Sequence, residues 1–169
     1  MTYGIFFGRF QPFHNGHQSV IQKIINDELV PVILIGSAQE SNTDRNPYSY
    51  NQRVEKIQSV FPGIITAPLI DVPCSNEEWI ANLKEAIDLI IENKADSIVI
   101  YIHNKPSEKG KYGLPNDTYI TDLIDFAPKI DISYLCEVNV SATMIRENLS
   151  EQKENLHPEV YKLLLAYNK

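Results

Sequence analysis

The chain has 169 residues, of which 43% are hydrophobic and 22% are charged. These values are typical of one globular domain with a sizeable core, so we expect a single domain over residues 1–169. The net charge of −7 argues against a nucleic-acid partner, because nucleic-acid-binding domains usually carry a basic surface. No apolar run approaches the ~18 residues of a membrane span, and no signal peptide precedes the first strand-like residues, so we expect a cytoplasmic protein without a membrane partner.

The predicted elements alternate between strands and helices. Short apolar runs predict strands over residues 2–8, 29–37, 63–73, 96–103 and 129–135. Apolar residues at helical spacing predict helices over residues 17–26, 49–61, 75–93, 141–149 and 157–167. Ser75 and Glu78 form a capping box, and Pro158 suits the first turn of the last helix. The alternation indicates an α/β fold with a parallel sheet of about five strands and helices on both faces.

The loops after the predicted strands contain the unusual chemistry of this sequence. The first strand leads into GRFQPFHNGH (8–17), the second into GSAQESNTDRNP (36–47), and the fourth into a long polar loop (103–117). Ligands of parallel sheets bind outside the carboxyl ends of the strands. We therefore expect the functional site at this edge of the sheet.

Arginine is used selectively along the chain. Only four of the fifteen basic residues are Arg, at positions 9, 45, 53 and 146. A guanidinium group presents a planar fork that matches phosphate and carboxylate. Three of the four positions therefore become candidate anion contacts, whereas Arg45 has no motif role.

The first loop fits a phosphate-binding site better than the alternatives. The sequence lacks a Walker lysine motif, a G-x-G-x-x-G motif and a G-x-S-x-G nucleophile elbow. His14 and His17 have no third ligand nearby, so we predict no metal site. Gly8 lets the backbone approach a ligand, and Gly16 opens a helix whose free N–H groups attract anions. The two His side chains can donate hydrogen bonds to phosphate, and Arg9 can fork onto the same group.

A second anion site is predicted near the end of the chain. Ser141 or Thr143 can cap a helix that we expect to carry Arg146 in its first turn. Two anion sites indicate a substrate with several phosphates.

The segments GRFQPFHNGH, GSAQESNTDRNP and VSATMIR resemble the archaeal-type nicotinamide-nucleotide adenylyltransferases of the H-x-G-H nucleotidyltransferase superfamily. The resemblance extends from about Gly4 to Leu149. It implies a Rossmann-like nucleotidyltransferase fold and the reaction of nicotinamide mononucleotide with ATP to give NAD and pyrophosphate. Mg²⁺ is expected to arrive with ATP, and relatives form dimers or hexamers, so a homo-oligomer is expected.

The resemblance also implies roles for individual residues. The implied catalytic residues, which hold the reacting phosphates, are Arg9, His14, His17 and Arg146. The implied residues of the ATP and mononucleotide sites are Gly8, Phe10, Gln11, Gly16, Gly36, Ser37, Arg53, Trp79, Ser141 and Thr143.

Several alternatives stay open from the residues themselves. Arg53 is either a substrate contact or a solvated helix residue, and Trp79 either stacks on the nicotinamide ring or belongs to the core. His103 and Lys105, at the start of the long loop, are candidate contacts of the site. Some bacterial relatives carry a Nudix hydrolase domain, but this sequence shows no Nudix signature, so we predict none.

Two rival functions also fit the motifs. One is a sister nucleotidyltransferase that acts on another phosphate ester, and the other is a non-catalytic protein that senses NAD. Retention of both His residues and Arg146 favours the enzyme over the sensor.

Overall fold

The computed structural model describes residues 1–71, 76–91, 96–103, 130–135 and 140–167. The predicted capping residue Ser75, the candidate contact Lys105 and the long loop beyond His103 lie outside these ranges.

The described elements follow the predicted order. The strands are β1 (Thr2–Gly8), β2 (Val30–Ile35), β3 (Ile65–Pro68), β4 (Ser97–His103) and β5 (Ile130–Leu135). The helices are α1 (Asn15–Asn26), α2 (Tyr50–Val60), α3 (Asn76–Ile90), α4 (Ala142–Glu147) and α5 (Pro158–Tyr167), with a short 3₁₀ turn at Lys153–Asn155. Strand β3 is much shorter than the predicted 63–73, because the chain turns at Gly63 with φ 77° and leaves the ladder after Pro68.

The five strands form one parallel sheet in the order β3-β2-β1-β4-β5, which confirms the predicted architecture. The chain runs from β1 outward to β3 and then returns to β4 on the other side of β1. The order therefore reverses at β1, and the loop after β1 lies at this switch point, where ligands of open α/β sheets bind. Gly8 at the end of β1 is in register with Ile35 at the end of β2, so their loops begin side by side.

Helices cover both faces of the sheet, as predicted. Successive strand residues point to opposite faces. Ile5, Val32 and Leu34 pack with Leu83 and Ile87 of α3 on one face. On the other face, Phe6 and Ile33 of the strands pack against side chains of the other four helices. These helix residues include Val20, Ile21, Ile57, Ile145 and Leu164.

Helix α1 packs closely on β1 at Gly4. A Cβ atom at this position would clash with Ile24 Cγ2, so the packing of α1 requires glycine here. This packing brings the first turn of α1 directly over the carboxyl end of β1. In the described part of the chain, no helix has the length and apolar character needed to cross a membrane.

Candidate active site

His14 and His17 cap helix α1 with their imidazole rings. His14 Nδ1 accepts hydrogen bonds from the N–H groups of Gly16 (3.1 Å) and His17 (3.3 Å), and the His14 N–H donates to His17 Nδ1 (3.3 Å). The two rings stack with their centroids 3.6 Å apart. The arrangement is a capping box in which imidazoles take the places usually held by Ser or Thr and by Glu or Gln. The backbone of α1 therefore fixes both rings.

The caps also indicate which nitrogen of each ring carries the proton. Because Nδ1 of both His14 and His17 accepts an N–H, the proton of each neutral ring lies on Nε2. A second proton on Nδ1 would remove the acceptor that holds the cap. The two rings lie at the amino terminus of α1, where the helix itself favours an anion, and they are largely buried there, with His14 1% and His17 5% exposed.

The side chains of Phe10 and Gln11 are buried beneath this loop, and their expected contact with a ligand stays a prediction. The Phe10 ring is 1% exposed and packs against Phe6 and His17, with centroids 5.5 and 4.7 Å apart. Gln11 is also 1% exposed, and its side-chain amide donates to the Tyr48 carbonyl (2.9 Å) and accepts from the Tyr48 N–H (3.0 Å). Both side chains are buried because they connect the loop to the core and to the segment before α2.

Arg146 reaches the same loop from α4. Its Nη1 donates to the Gln11 carbonyl (2.6 Å), and its Nη2 donates to Thr143 Oγ1 (3.3 Å). Helix α4 has only six residues, and Arg146 lies in its last turn rather than its first. Ser141 occupies the N-cap position, but its side chain makes no capping hydrogen bond. The expected first-turn position of Arg146 and the expected Ser141 cap are therefore wrong, whereas Arg146 does join the loop that carries the histidines. The second anion site stays a prediction.

A cavity of about 500 Å³ lies at the carboxyl ends of β1, β2 and β3. Ligand pockets commonly have volumes of roughly 300–1,000 Å³, so its size suits a small ligand. Five predicted site residues line it, namely Gly8, Arg9, Gly36, Ser37 and Trp79. The other lining residues are Phe7, Glu40, Arg45, Asn46, Leu69 and Asp71.

Trp79 combines the two interpretations that the sequence left open. Its ring packs edge-to-face on Phe7, with centroids 5.5 Å apart, and it borders the core cluster on the α3 face. The residue is only half-buried and lines the cavity. One part of the side chain therefore belongs to the core, and another part is available to a ligand.

Residues 5–148 match the family model of the cytidylyltransferase-like proteins, which is more than half of the chain. The chain belongs to the cytidylyltransferase-like family.

Three known proteins show how far this likeness extends. A nicotinamide-nucleotide adenylyltransferase of Methanoculleus marisnigri is 38% identical over 88 residues, which cover 50% of this chain and 52% of that protein. A nicotinamide/nicotinic acid mononucleotide adenylyltransferase of Acinetobacter baylyi is 29% identical over 164 residues, which cover 93% of this chain and 81% of that protein. A bifunctional NMN adenylyltransferase/ADP ribose pyrophosphatase from Francisella tularensis superposes with a TM-score of 0.79 and 25% identity, covering 98% of this chain and 49% of that structure. The chain spans about half the length of the first curated relatives it matches.

The interpretation of Arg53 as a solvated helix residue is wrong, because the residue is buried in this cytidylyltransferase-like domain. Its side chain is 0% exposed. It donates to the backbone carbonyls of Ser49, Arg9, Gly36 and Ser37, at distances of 3.3, 3.0, 2.7 and 3.0 Å. Burial lowers the pKa of the guanidinium and nearby Arg9 lowers it further, but an Arg side chain stays charged at neutral pH. The sequence pattern did not show that the Arg53 side chain points into the protein.

Three polar residues were missed as individual contributors: Glu40 and Asn46 in the second loop, and Asp71 after β3. Arg9 Nη1 donates to Asn46 Oδ1 (3.3 Å), and the Asn46 amide donates to Glu40. Ser37 Oγ donates to Asp71, which follows β3. The polar composition of residues 36–47 indicated that this loop belongs to the site. It did not indicate which of its residues line the cavity.

The carboxyl edge thus brings imidazole and guanidinium groups together. Two imidazole N–H groups and Arg146 lie around the first loop, and Arg9 lies at the cavity. Among the described residues, no group of three His, Cys, Asp or Glu side chains is placed to hold a metal ion. Such an edge is suited to positioning phosphates and neutralising their charge.

Proposed function

We propose that this domain transfers the adenylyl group of MgATP to nicotinamide mononucleotide, which gives NAD and pyrophosphate. The observation that carries the proposal is the pair of histidines that cap α1, in a loop to which Arg146 also bonds. This loop lies at the same edge of the sheet as a cavity lined by Trp79. The names of the relatives support this choice among the family's nucleotidyl transfers.

The chemistry requires no general base. The nucleophile is a phosphate oxygen of the mononucleotide, whose second pKa of about 6 leaves it mostly ionised at neutral pH. This oxygen forms a bond to the α-phosphorus of ATP, and the bond from that phosphorus to the bridging oxygen breaks. The electron pair leaves with pyrophosphate. The protein must therefore bring two anions together in line and stabilise the charge that develops.

We assign the ATP phosphates to the loop that carries the histidines. The Nε2–H groups of His14 and His17 donate to phosphate oxygens, and the Arg146 guanidinium stabilises the departing pyrophosphate. His17 and Arg146 contribute mainly to turnover, whereas His14 and Arg9 contribute to binding as well. Mg²⁺ enters with the triphosphate.

We assign the mononucleotide to the cavity. Its phosphate lies toward Arg9, and its pyridinium ring lies against Trp79, whose face attracts a cation. Gly8 and Gly36, which begin the two loops, leave the backbone accessible beside it; the Gly36 N–H donates to the Gly8 carbonyl (2.8 Å) and holds the loops together. The proposal includes a homo-oligomer in the cytoplasm with no nucleic-acid partner.

Pyrophosphate release from MgATP tests this proposal. Three acceptors are supplied in parallel: nicotinamide mononucleotide, nicotinate mononucleotide and phosphopantetheine. Rapid release with nicotinamide mononucleotide is the expected result, and the ratio to the nicotinate rate gives the substrate preference. Release with phosphopantetheine alone would identify a sister enzyme instead. Tight binding of NAD without release from any acceptor would make the protein a sensor.

A further inference from the structure

Three non-glycine residues in the described loops at the carboxyl edge have left-handed backbone conformations: Asn42, with φ 59°, and two residues close to the strand ends. Phe10, in the loop after β1, has φ 52°, and Ser37, in the loop after β2, has φ 48°. Such conformations cost free energy and persist only where the surrounding structure holds them. What holds them therefore determines the shape of both loops.

The carbonyls next to Phe10 and Ser37 are bonded to one side chain. Arg53 donates to the carbonyl of Arg9, which belongs to the peptide group preceding Phe10. It also donates to the carbonyls of Gly36 and Ser37, which belong to the two peptide groups that flank Ser37. A single guanidinium thus fixes peptide planes in both loops.

These bonds leave Arg53 little capacity to bind a substrate. A guanidinium has five N–H groups, and the bonds to the carbonyls of Ser49, Arg9, Gly36 and Ser37 use four of them. The side chain is 0% exposed. In a trans peptide the N–H points opposite to the C=O, so the amides of Phe10 and Ser37 face away from the guanidinium.

The origin of Arg53 explains why it can join the two loops. Helix α2 begins at a capping box, in which the Gln52 N–H donates to Ser49 Oγ (3.3 Å) and the Ser49 N–H donates to Gln52 Oε1 (2.9 Å). Arg53 follows in the first turn of this helix. The helix start therefore anchors the guanidinium independently of any ligand.

We infer that Arg53 is a positioning residue, which holds the loops after β1 and β2 in the conformation that the substrates require and does not touch the substrates. The activity readouts below rest on the proposed adenylyl transfer, whereas the exchange measurement does not.

Hydrogen–deuterium exchange of the ligand-free protein tests this inference. Arg53→Met removes all the donors and keeps an unbranched apolar side chain in place of the aliphatic part of the arginine. Ile87→Ala is the matched control, because it leaves a cavity in the core on the α3 face, away from both loops. We expect amide exchange in residues 8–17 and 36–48 to accelerate by about tenfold or more in Arg53→Met and to stay near the wild-type rate in Ile87→Ala. Wild-type rates in these loops, or equal acceleration across the whole protein in both variants, would overturn the inference.

Arg53→Lys provides a second test, and it decides the matter if Arg53→Met does not fold. A lysine keeps the positive charge and can bind a phosphate, but it cannot span carbonyls from two loops as a planar fork does. We expect kcat/KM to fall by at least about tenfold, with the same accelerated exchange in the two loops. Retention of wild-type kcat/KM and exchange would overturn the inference. An inactive wild-type protein would instead refute the proposed function and leave the exchange result to judge Arg53.

Discussion

The two sides of the carboxyl edge hold their functional groups in different ways. The α1 side, defined as residues 10–17 together with Arg146, fixes its donors directly to backbone, with imidazoles that cap a helix and a guanidinium bonded to the Gln11 carbonyl. The cavity side, defined as Gly8, Arg9, residues 36–46 and Trp79, is a wall of side chains that bond to one another around an open volume.

The difference indicates that one side contributes mainly to catalysis and the other mainly to substrate binding. Donors that are fixed before the substrate arrives lose little free energy when charge develops, so they chiefly lower the barrier to reaction. A cavity with an aromatic wall chiefly binds the ground state. We therefore expect substitutions on the α1 side to reduce kcat and substitutions on the cavity side to raise KM.

The largest effect is expected from His17. His17→Gln keeps a side chain that can complete the capping box, because Gln is a usual residue at this position of the motif. It removes the imidazole Nε2–H donor, and loss of one such donor typically costs about 10²–10³ in kcat. Steady-state kinetics should show this loss with little change in melting temperature. Near-normal kcat would remove His17 from the mechanism, and His14→Ser, which also keeps a good cap, provides the parallel test.

Arg146 should give the next largest effect. Arg146→Gln removes the positive charge assigned to the departing pyrophosphate, and we expect kcat to fall by about 10² while KM for the mononucleotide changes little. The neighbouring substitution Glu147→Gln is the control for altered charge on α4. A rise in the KM for the mononucleotide with unchanged kcat would place Arg146 on the cavity side and contradict this difference between the two sides.

Trp79 should have a smaller effect, and on KM. Trp79→Leu keeps apolar packing against Phe7 and removes the large aromatic face. We expect the KM for the mononucleotide to rise about fivefold, since an aromatic or cation–π contact is worth roughly 1 kcal/mol. The control is Leu89→Ala, at an exposed position of the same helix. A lower melting temperature with unchanged KM would make Trp79 a core residue only.

The smallest expected effect is on stability and not on activity. It concerns Lys56, which packs behind the α1 side. Lys56 is 0% exposed, and its Nζ lies 3.7 Å from the centroid of the Tyr48 ring and 4.7 Å from that of Tyr167. Tyr48 in turn holds Gln11 of the first loop. Burial, with a smaller contribution from the charge of Arg53, lowers the pKa of Lys56 to about 7, although Glu55 opposes the shift.

This lowered pKa predicts how stability depends on pH. Between the folded value of about 7 and the ordinary value of 10.5, the unfolded chain binds more protons than the folded chain, so this residue's contribution to stability rises with pH. The free energy of unfolding of the wild type, relative to Lys56→Met, should increase by about 1–2 kcal/mol from pH 7 to pH 9. Denaturant titrations measure this difference, with the exposed Lys162→Met as control. An unchanged difference would show that Lys56 does not titrate in this window.

The sequence predicted the sheet and the loops well, because both depend on local patterns. Apolar runs that alternate with helical periodicity determine a parallel sheet, and the carboxyl ends of its strands determine where GRFQPFHNGH must lie. The pattern could not show that Phe10 and Gln11 are buried, since a motif does not distinguish residues that touch a ligand from residues that hold the loop. Nor could it show the role of Arg53, because the carbonyls that Arg53 bonds belong to two loops that are far apart in the sequence, at Arg9 and at Gly36 and Ser37. The orientation of Arg146 likewise depends on a contact with Gln11 across more than a hundred residues.

The transfer of the α-phosphorus itself tests the central claim most directly. The protein is incubated with nicotinamide mononucleotide and MgATP labelled at the α-phosphate, and in a parallel sample with ATP labelled at the γ-phosphate. The proposed reaction predicts that the α label appears in NAD and that the γ label appears only in pyrophosphate. Absence of the α label from NAD, while both substrates are bound, would contradict adenylyl transfer to this acceptor.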